Sequence, residues 1–379
     1  MTTALTQSSA RAHNKKIVQN VVIKPEDLPT KKSEDWRYLD VAALAGAYEL
    51  INDKPVITRG PLGSRSGRAT QMHFETGPAS QTIKSPQEIK PALTINSAQT
   101  KKLPAGAAET IFENITRKAP IHTVRVDRSC RLTIVHQSPG AGQIVCSAIQ
   151  IIIASPQAVT VDLDERWENK LSRGLFIGNT VIELGKSAVL RHKIDQRMVA
   201  ANHIKSYSVR VGQAARYNLA VSAGRGQILR TTASIDLIGA RASTLVAVAQ
   251  SGSGSQQLDS GIVINHAAPN TKSLQEIRTL VRDEAHGIVN GGVHVKKNAV
   301  HSSVSQFAHG LMLSPRAHCY GKPSLRIHTD KVQARHGFSI RPVDEQQLFY
   351  LQSRGQVSAD AKDQLVNAFI SEVLPAELQ

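Results

Sequence analysis

Six histidines, His294, His301, His309, His318, His328 and His336, crowd into one short stretch of the chain. Neutral imidazole is a borderline-soft ligand for iron or zinc, and its pKa suits proton transfer near pH 7. The intervals between them are all unequal to their neighbours and share no period, so the rings are expected on different faces rather than in one metal patch. His336 precedes Gly337. A ring at such a place can ligate a metal, carry a proton, or simply bond a carbonyl at a strand end. Cys130, Cys146 and Cys319 form no CxxC pair and no zinc-like spacing. Three cysteines argue against a disulfide framework and fit a reducing compartment, with Cys319 expected to be a buried, inert thiol. Asp162, Asp164, Glu165 and Glu168 cluster as the carboxylates of a polysaccharide-cleaving enzyme would, but Arg166 and Lys170 lie among them. Salt-bridged turn residues between strands are the expected explanation. The stretch Arg59-Gly60-Pro61-Leu62-Gly63-Ser64-Arg65-Ser66-Gly67-Arg68 lacks the Gly-Lys-Ser/Thr ending of a phosphate loop and reads as an exposed linker. No Gly-x-Ser-x-Gly nucleophile motif is present.

The elements that must position these residues are mostly strands. Hydrophobic residues make up 41% of the chain, but aromatic residues only 4%, which favours thin, regular apolar layers over a globule packed with rings. The runs Ile121–Val126, Leu132–His136 and Ile149–Ala154 have strand composition. An apolar run, Gly-x-x-Ala and a second apolar run then recur. Gly185, Gly212 and Gly239 are evenly spaced, and Ala188, Ala215 and Ala242 repeat at the same interval. A fixed period with no helical pattern inside it predicts stacked strand–turn–strand units, a coil of parallel strands. Glycine is expected to supply a positive φ at each corner, and the alanine to point into the narrow interior. Lys297-Asn298-Ala299 and Ser314-Pro315-Arg316-Ala317 read as degenerate later corners.

Both ends are expected to be helical. Ser33-Glu34-Asp35-Trp36 reads as a helix start, with Leu39, Val41, Ala42 and Leu44 as its apolar face. At the other end, Asp344–Gly355 reads as a capped helix, and Ser358 opens a second one whose stripe is Leu365, Val366, Phe369, Ile370 and Val373. Such helices can cap the coil or present a groove to a partner. The organisation is therefore 1–110 mixed and helical with a linker, 111–342 strand coil, and 343–379 helical. No apolar run approaches the ~20 residues of a membrane span, and no secretory core precedes residue 25. The net charge of +16 favours an acidic partner, nucleic acid or an anionic surface, but the basic residues are scattered and few aromatics lie between them. A β-helix polysaccharide lyase or hydrolase and a basic nucleic-acid-binding protein are the alternatives.

Most of the chain, and residues 181–373 above all, resembles the SufB/SufD family. His266-x-x-Pro269-x-Thr271-x-Ser273 is followed by Gly291-Gly292-Val293-His294-Val295, Gln306, and Leu311-Met312-Leu313-Ser314. Then come Lys322-Pro323-Ser324-Leu325-Arg326-Ile327, Asp330-Lys331-Val332, His336-Gly337 and Leu348–Gly355. Glu34-Asp35-Trp36-Arg37-Tyr38 resembles the family's N-terminal signature. The resemblance implies a right-handed parallel β-helix between helical flanks, in a non-catalytic scaffold subunit of cytoplasmic iron–sulfur cluster assembly. It implies a heterodimer with a SufB-like paralogue and a SufC-like ATPase docked on the C-terminal helices, with Phe349, Tyr350, Leu351, Arg354 and Phe369 as candidate contacts. The poverty in cysteine makes SufD the nearer likeness. The chain alone is expected to bind no cofactor stably; a nascent cluster at the partner interface and reduced flavin in the complex are compatible with the likeness. Ala334 and Arg326 stand where the family often has Cys and Glu, which leaves His336 as the candidate cluster ligand, metal ligand or proton carrier.

Overall fold

A computed structural model describes residues 19–29, 37–52, 55–60, 93–98, 111–116, 119–167, 174–197, 200–371 and 373. Strands run in chain order from β1 (Gln19–Ile23), β2 (Gly46–Asn52), β3 (Val56–Gly60) and β4 (Leu93–Ala98), through helix α1 (Ile111–Thr116), to β5 (Ile121–Val126), β6 (Cys130–His136), β7 (Gln143–Ile153) and β8 (Thr160–Trp167). The regular coil continues with β9 (Leu175–Leu184), β10 (Val189–Gln196), β11 (Asn202–Val211), β12 (Arg216–Ala223), β13 (Ile228–Leu237) and β14 (Ser243–Gly252). It ends with β15 (Gln257–His266), β16 (Lys272–Val281), β17 (His286–Val295), β18 (Ser302–Met312), β19 (His318–Ile327) and β20 (Val332–Pro342). Helices α2 (Glu345–Ser353) and α3 (Ser358–Ser371) follow.

Odd-numbered strands from β7 to β19 form one parallel sheet, and even-numbered strands from β6 to β20 form the other. The chain alternates between them, so each pair is one turn of a flattened β-solenoid of about seven turns. Alternate side chains of both sheets point into the lumen and stack in register. One such row is Ile151, Ile182, Val209, Ile235, Ile264 and Val293. Neighbours in that row sit ~4.8 Å apart, a spacing that β-branched side chains fill well.

The corners correct the expectation about glycine. Positive φ falls on Ser187 (59°), Ala214 (53°) and Arg241 (64°), two residues after each glycine. Each corner is a four-residue turn closed by Ala188 N–H to Gly185 O, Ala215 N–H to Gly212 O and Ala242 N–H to Gly239 O. The left-handed third residue aims its N–H along the solenoid axis: Ser187 donates to Gln213 O and Ala214 to Ala240 O, each at 2.9 Å. The glycines are needed because turns stack closely there. A Cβ on Gly212 would lie 2.6 Å from Leu184 O, and one on Gly239 2.1 Å from Gln213 N. Ala188, Ala215 and Ala242 are buried as expected. Ala299 closes a turn on Lys296 O at the same corner, out of register with those alanines, whereas Ala317 closes the opposite corner, between β18 and β19.

The N-terminal region before α1 holds no α-helix, only short 3-10 turns, among the described residues. Ser33 to Trp36 lie outside them, as does most of the Arg59–Arg68 stretch, of which Arg59 and Gly60 belong to β3. Leu39, Val41 and Leu44 are buried, but in an extended segment with a single 3-10 turn (Ala42–Leu44). They pack with Ile177, Ile204, Ile228 and Ile288 on the outer face of the odd-numbered sheet. That segment reaches the last turn, where Tyr38 stacks on Tyr320 with centroids 4.7 Å apart. Apolar spacing alone did not separate a strap lying on a sheet from a helix.

The C-terminal helices form as expected. Asp344 Oδ1 caps α2 through Gln346 N–H at 2.9 Å, and Gly355 ends it at φ 88°. Helix α3 lies along the outer face of the even-numbered sheet, with Phe369 against Leu280 and Leu311 and with Val373 against Ala247 and Ala249. Helix α3 thus lies beside the coil and not over its end. Among the described residues no helix is long and apolar enough to cross a membrane.

Candidate functional site

The last turn, β19 and β20, ends the coil. Among the described residues its strands pair only with β17 and β18, and no strand lies on the outer edge of either. Pro323 sits in β19, and such an edge strand tolerates its missing N–H. The lumen-facing row Gln275, Gln306 and His336 crosses the last three turns in register. Gln306 Nε2 donates to Gln275 Oε1 at 2.8 Å, and His336 extends this polar row onto the exposed mouth. Ala334 and Phe338 flank His336 on the same lumen-facing row, and Phe338 fills the space above Gly321.

Cys319 lies on the opposite strand, half-buried. Burial pushes its thiol up to about 11, so it stands protonated at neutral pH and is a poor ligand. Of the other histidines, His294 and His328 lie near one another beside Arg326, and His309 and His318 stand elsewhere. His309 bonds Ser339 Oγ at 2.7 Å, and His318 packs against His286 and Tyr320. Among the described residues no group of three or more His, Cys, Asp or Glu side chains is placed to hold a metal ion.

The proposed helix contacts divide. Phe349 and Tyr350 are 71% and 57% exposed, and Arg354 stacks on Tyr350 at 5.3 Å. Leu351 is half-buried. Phe369 is buried beneath Arg278 and anchors α3 to the sheet, so it is not free to meet a partner.

The ordered motifs of the C-terminal half are largely structural. His266 Nδ1 lies 2.7 Å from Thr271 Oγ1, and its Nε2 lies 2.8 Å from Ser273 Oγ, inside one corner. Thr271 Oγ1 also lies 2.7 Å from Ser302 Oγ of the next turn. Gly291 leaves room for Gln306, whose Nε2 would sit 2.3 Å from a Cβ there.

The acidic cluster is placed differently from the expectation. Asp162, Asp164 and Glu165 lie within β8 rather than in a turn between strands. Asp162 faces out and pairs with Arg191 at 2.6 Å. Glu165 faces in, because it alternates with Leu163 and Trp167 on the buried side. Its Oε1 accepts from Lys205 Nζ and from His136 Nε2 (2.7 Å), and its Oε2 from Tyr207 Oη (2.9 Å) and His192 Nε2 (3.2 Å). Lys205 rests against the rings of Trp167, Phe176 and Tyr207. This carboxylate is saturated and sealed in the lumen, which removes it as a hydrolytic acid. The strict alternation of β8 was the signal that could have found it.

Burial holds His192 and His203 down to about 3, against the pull of Asp164 on the former and with His136 adding to the effect on the latter. Burial holds His266 near 4. The three rings are therefore neutral in the folded chain and protonate near 6.5 once unfolded. The unfolded state takes up protons first as pH falls, so stability is full above pH 6.5 and is lost below it. Each ring should add to the decline as pH falls below 6.5, by on the order of 1 kcal/mol per pH unit. Urea unfolding at pH 7.5, 6 and 5 measures this; equal midpoints at the three values would contradict it.

Residues 135–369 match the family model described as SUF system FeS cluster assembly, SufBD core domain. The chain belongs to the SufBD family. A chloroplast protein of Arabidopsis thaliana named ABCI7 is 27% identical over 230 residues, 59% of this chain and 48% of that protein. An iron-sulfur cluster assembly SufBD family protein of Synechocystis is 27% identical over 293 residues, 74% of this chain and 61% of its own length. The iron-sulfur cluster assembly protein SufD of Escherichia coli is 27% identical over 151 residues, 40% of this chain and 36% of SufD. The aligned stretches thus span between about a third and three fifths of these relatives. The SufBD match covers the regular coil, the open last turn and most of α3, so the mouth at His336 lies within the shared core.

Proposed function

We propose that this chain is a SufD-type scaffold subunit of iron–sulfur cluster assembly without catalysis of its own. It pairs through its last turn with a SufB-like paralogue and receives a SufC-like ATPase on α2. One observation carries the reading: among the described residues the coil ends on two strands whose outer edges meet no further strand, and the helix that follows exposes Phe349 and Tyr350. Unpaired edges invite strand addition, and exposed aromatics beside an arginine are typical anchors of a partner. In this reading the nascent cluster is cargo at the interface, and His336 is its ligand or a proton carrier on this side.

Affinity purification from the native host should recover the paralogue and the ATPase with this chain. Recovery should fall as salt rises, because a chain of net charge +16 favours an acidic partner face. Neither protein appearing at low salt would refute the scaffold reading. Within the complex, His336→Ala should leave assembly intact and lower cluster formation severalfold. An unchanged cluster yield would make His336 structural.

A further inference from the structure

Away from the mouth, a cavity of about 550 Å³ lies between α3 and the corner that follows the even-numbered strands. Arg197, Arg225 and Arg282 line it, on three of four successive turns of the coil. At ~4.8 Å per turn, Arg225 and Arg282 spring from backbone about 10 Å apart, within the combined reach of two guanidinium side chains. Arg197 is already committed to Asp195, with Nη2 at 2.8 Å from Oδ2. Among the described residues Arg225 and Arg282 have no ion pair, and the two acids nearest to Arg282 in sequence are otherwise engaged. Asp283 Oδ2 accepts from Gly254 N–H, and Glu284 pairs with Arg316. The opposite wall is apolar, made by Ala223, Ala249 and Ile370. That wall is fixed, because α3 is anchored by Phe369 between Leu280 and Leu311.

We propose that this cavity binds a small organic phosphate, with the phosphate on Arg225 and Arg282 and the organic part against Ile370 and Ala249. The charge decides between anions. A phosphate monoester carries about −1.5 to −2 near pH 7 and offers several acceptor oxygens, which matches two unpaired guanidinium groups; a single carboxylate matches one. The volume decides against a lone inorganic ion. It falls within the ~300–1,000 Å³ of small-molecule sites, which are concave and mostly apolar with a few polar groups fixing orientation. Ser222 and Ser251 line the same cavity, and their hydroxyls supply further donors for phosphate oxygens. The site is independent of the scaffold reading, since it uses neither the last turn nor the exposed face of α2.

Calorimetric titration of the full chain with phenyl phosphate, inorganic phosphate and benzoate tests it. Phenyl phosphate should bind about ten-fold more tightly than either of the others. Arg225→Gln with Arg282→Gln should weaken phenyl phosphate by at least about ten-fold, the equivalent of ~1.4 kcal/mol. Each single variant should fall between, and Lys186→Gln with Arg216→Gln, both exposed at the other corner, should change nothing. Circular dichroism shows whether the variants keep their strands; should the double variant unfold, the two single variants carry the test. Benzoate binding as tightly as phenyl phosphate overturns the proposal, as does unaltered binding by the arginine variants. Displacement of phenyl phosphate by a short polyglutamate peptide at lower concentration would assign the cavity to an acidic protein segment instead, and would likewise overturn it.

Discussion

Lys205→Met should destabilise the folded chain by about 3–5 kcal/mol, although methionine fits the apolar half of the same space. The reason is the group left behind. Glu165 has a side chain only 1% exposed, and Lys205 is the basic side chain paired with it. Without that cation the carboxylate must either stay ionised in the lumen or take up a proton against its hydrogen-bonding from His136, His192 and Tyr207. Both routes are unfavourable, since a buried charge without a partner is among the most destabilising features a core can hold. The loss of the cation from the Trp167, Phe176 and Tyr207 rings, at 5.3, 5.5 and 4.9 Å, adds to the effect. Glu165→Gln in the same chain removes the stranded charge and should recover a large part of the loss. Urea unfolding of the single and double variants measures both numbers. A single variant as stable as the parent chain, or a double variant no better than the single, would show that the pair is not what holds this turn together.

The coil was legible because its physics is repetitive. Equal spacing of Gly and of Ala requires every turn to place the same group at the same corner, and only a stack of equivalent turns does this. Beyond Ala242 the signal fades, because the turns lengthen and the paired positions drift. Arg216 pairs with Ser243 at the regular interval, but the step from Ser243 to Lys272 is longer, and that from Lys272 to Ser303 longer again. There Asn270 takes the left-handed position at φ 59°, and Thr271 and Ser302 take the buried place of the alanines. Hydrogen bonds replace a small apolar contact, so composition changes while geometry persists.

The candidate site was legible in part, and the misses share a cause. Chemistry and resemblance single out His336, and the fold sets it on the last turn. What placed it there, the row through Gln275 and Gln306, depends on register between turns that no local pattern encodes. Phe369 lies on an apolar helical stripe, and such a stripe cannot say whether the sheet of the same chain or a partner will cover it. Glu165 stands in sequence among Asp162, Asp164 and Glu168, and such a run of charge argues for salt-bridged turn residues. Its strand alternates Val161, Leu163, Glu165 and Trp167 on the buried side, and alternation outranks charge in a coil whose lumen is lined on both walls.

The corner glycines give the second large effect, and it should grade along the coil. A methyl at Gly185 would stand 3.2 Å from Ile153 O, which a small shift relieves. At Gly212 the nearest atom is Leu184 O at 2.6 Å. At Gly239 the three nearest atoms are Gln213 N, Gln213 Cα and Gly212 C, at 2.1 to 2.4 Å, all backbone of the preceding corner. Backbone held in the turn-to-turn hydrogen-bond ladder cannot step aside without breaking it, so overpacking here is unfavourable beyond the usual core value. Alanine should therefore cost about 1 kcal/mol at position 185, about 2–3 at 212, and more than about 3 at 239, where folding itself is expected to fail at about 37 °C. Ala214→Gly is the contrasting change. It relieves a left-handed alanine at φ 53° but loosens the unfolded chain, so stability should stay within about 1 kcal/mol. Thermal unfolding of the four variants separates the two roles. Were glycine needed at these corners for its φ, the three alanine substitutions would be equally harmful; if close stacking demands it, harm follows the contact distances, and Gly239 stands at the head of the series.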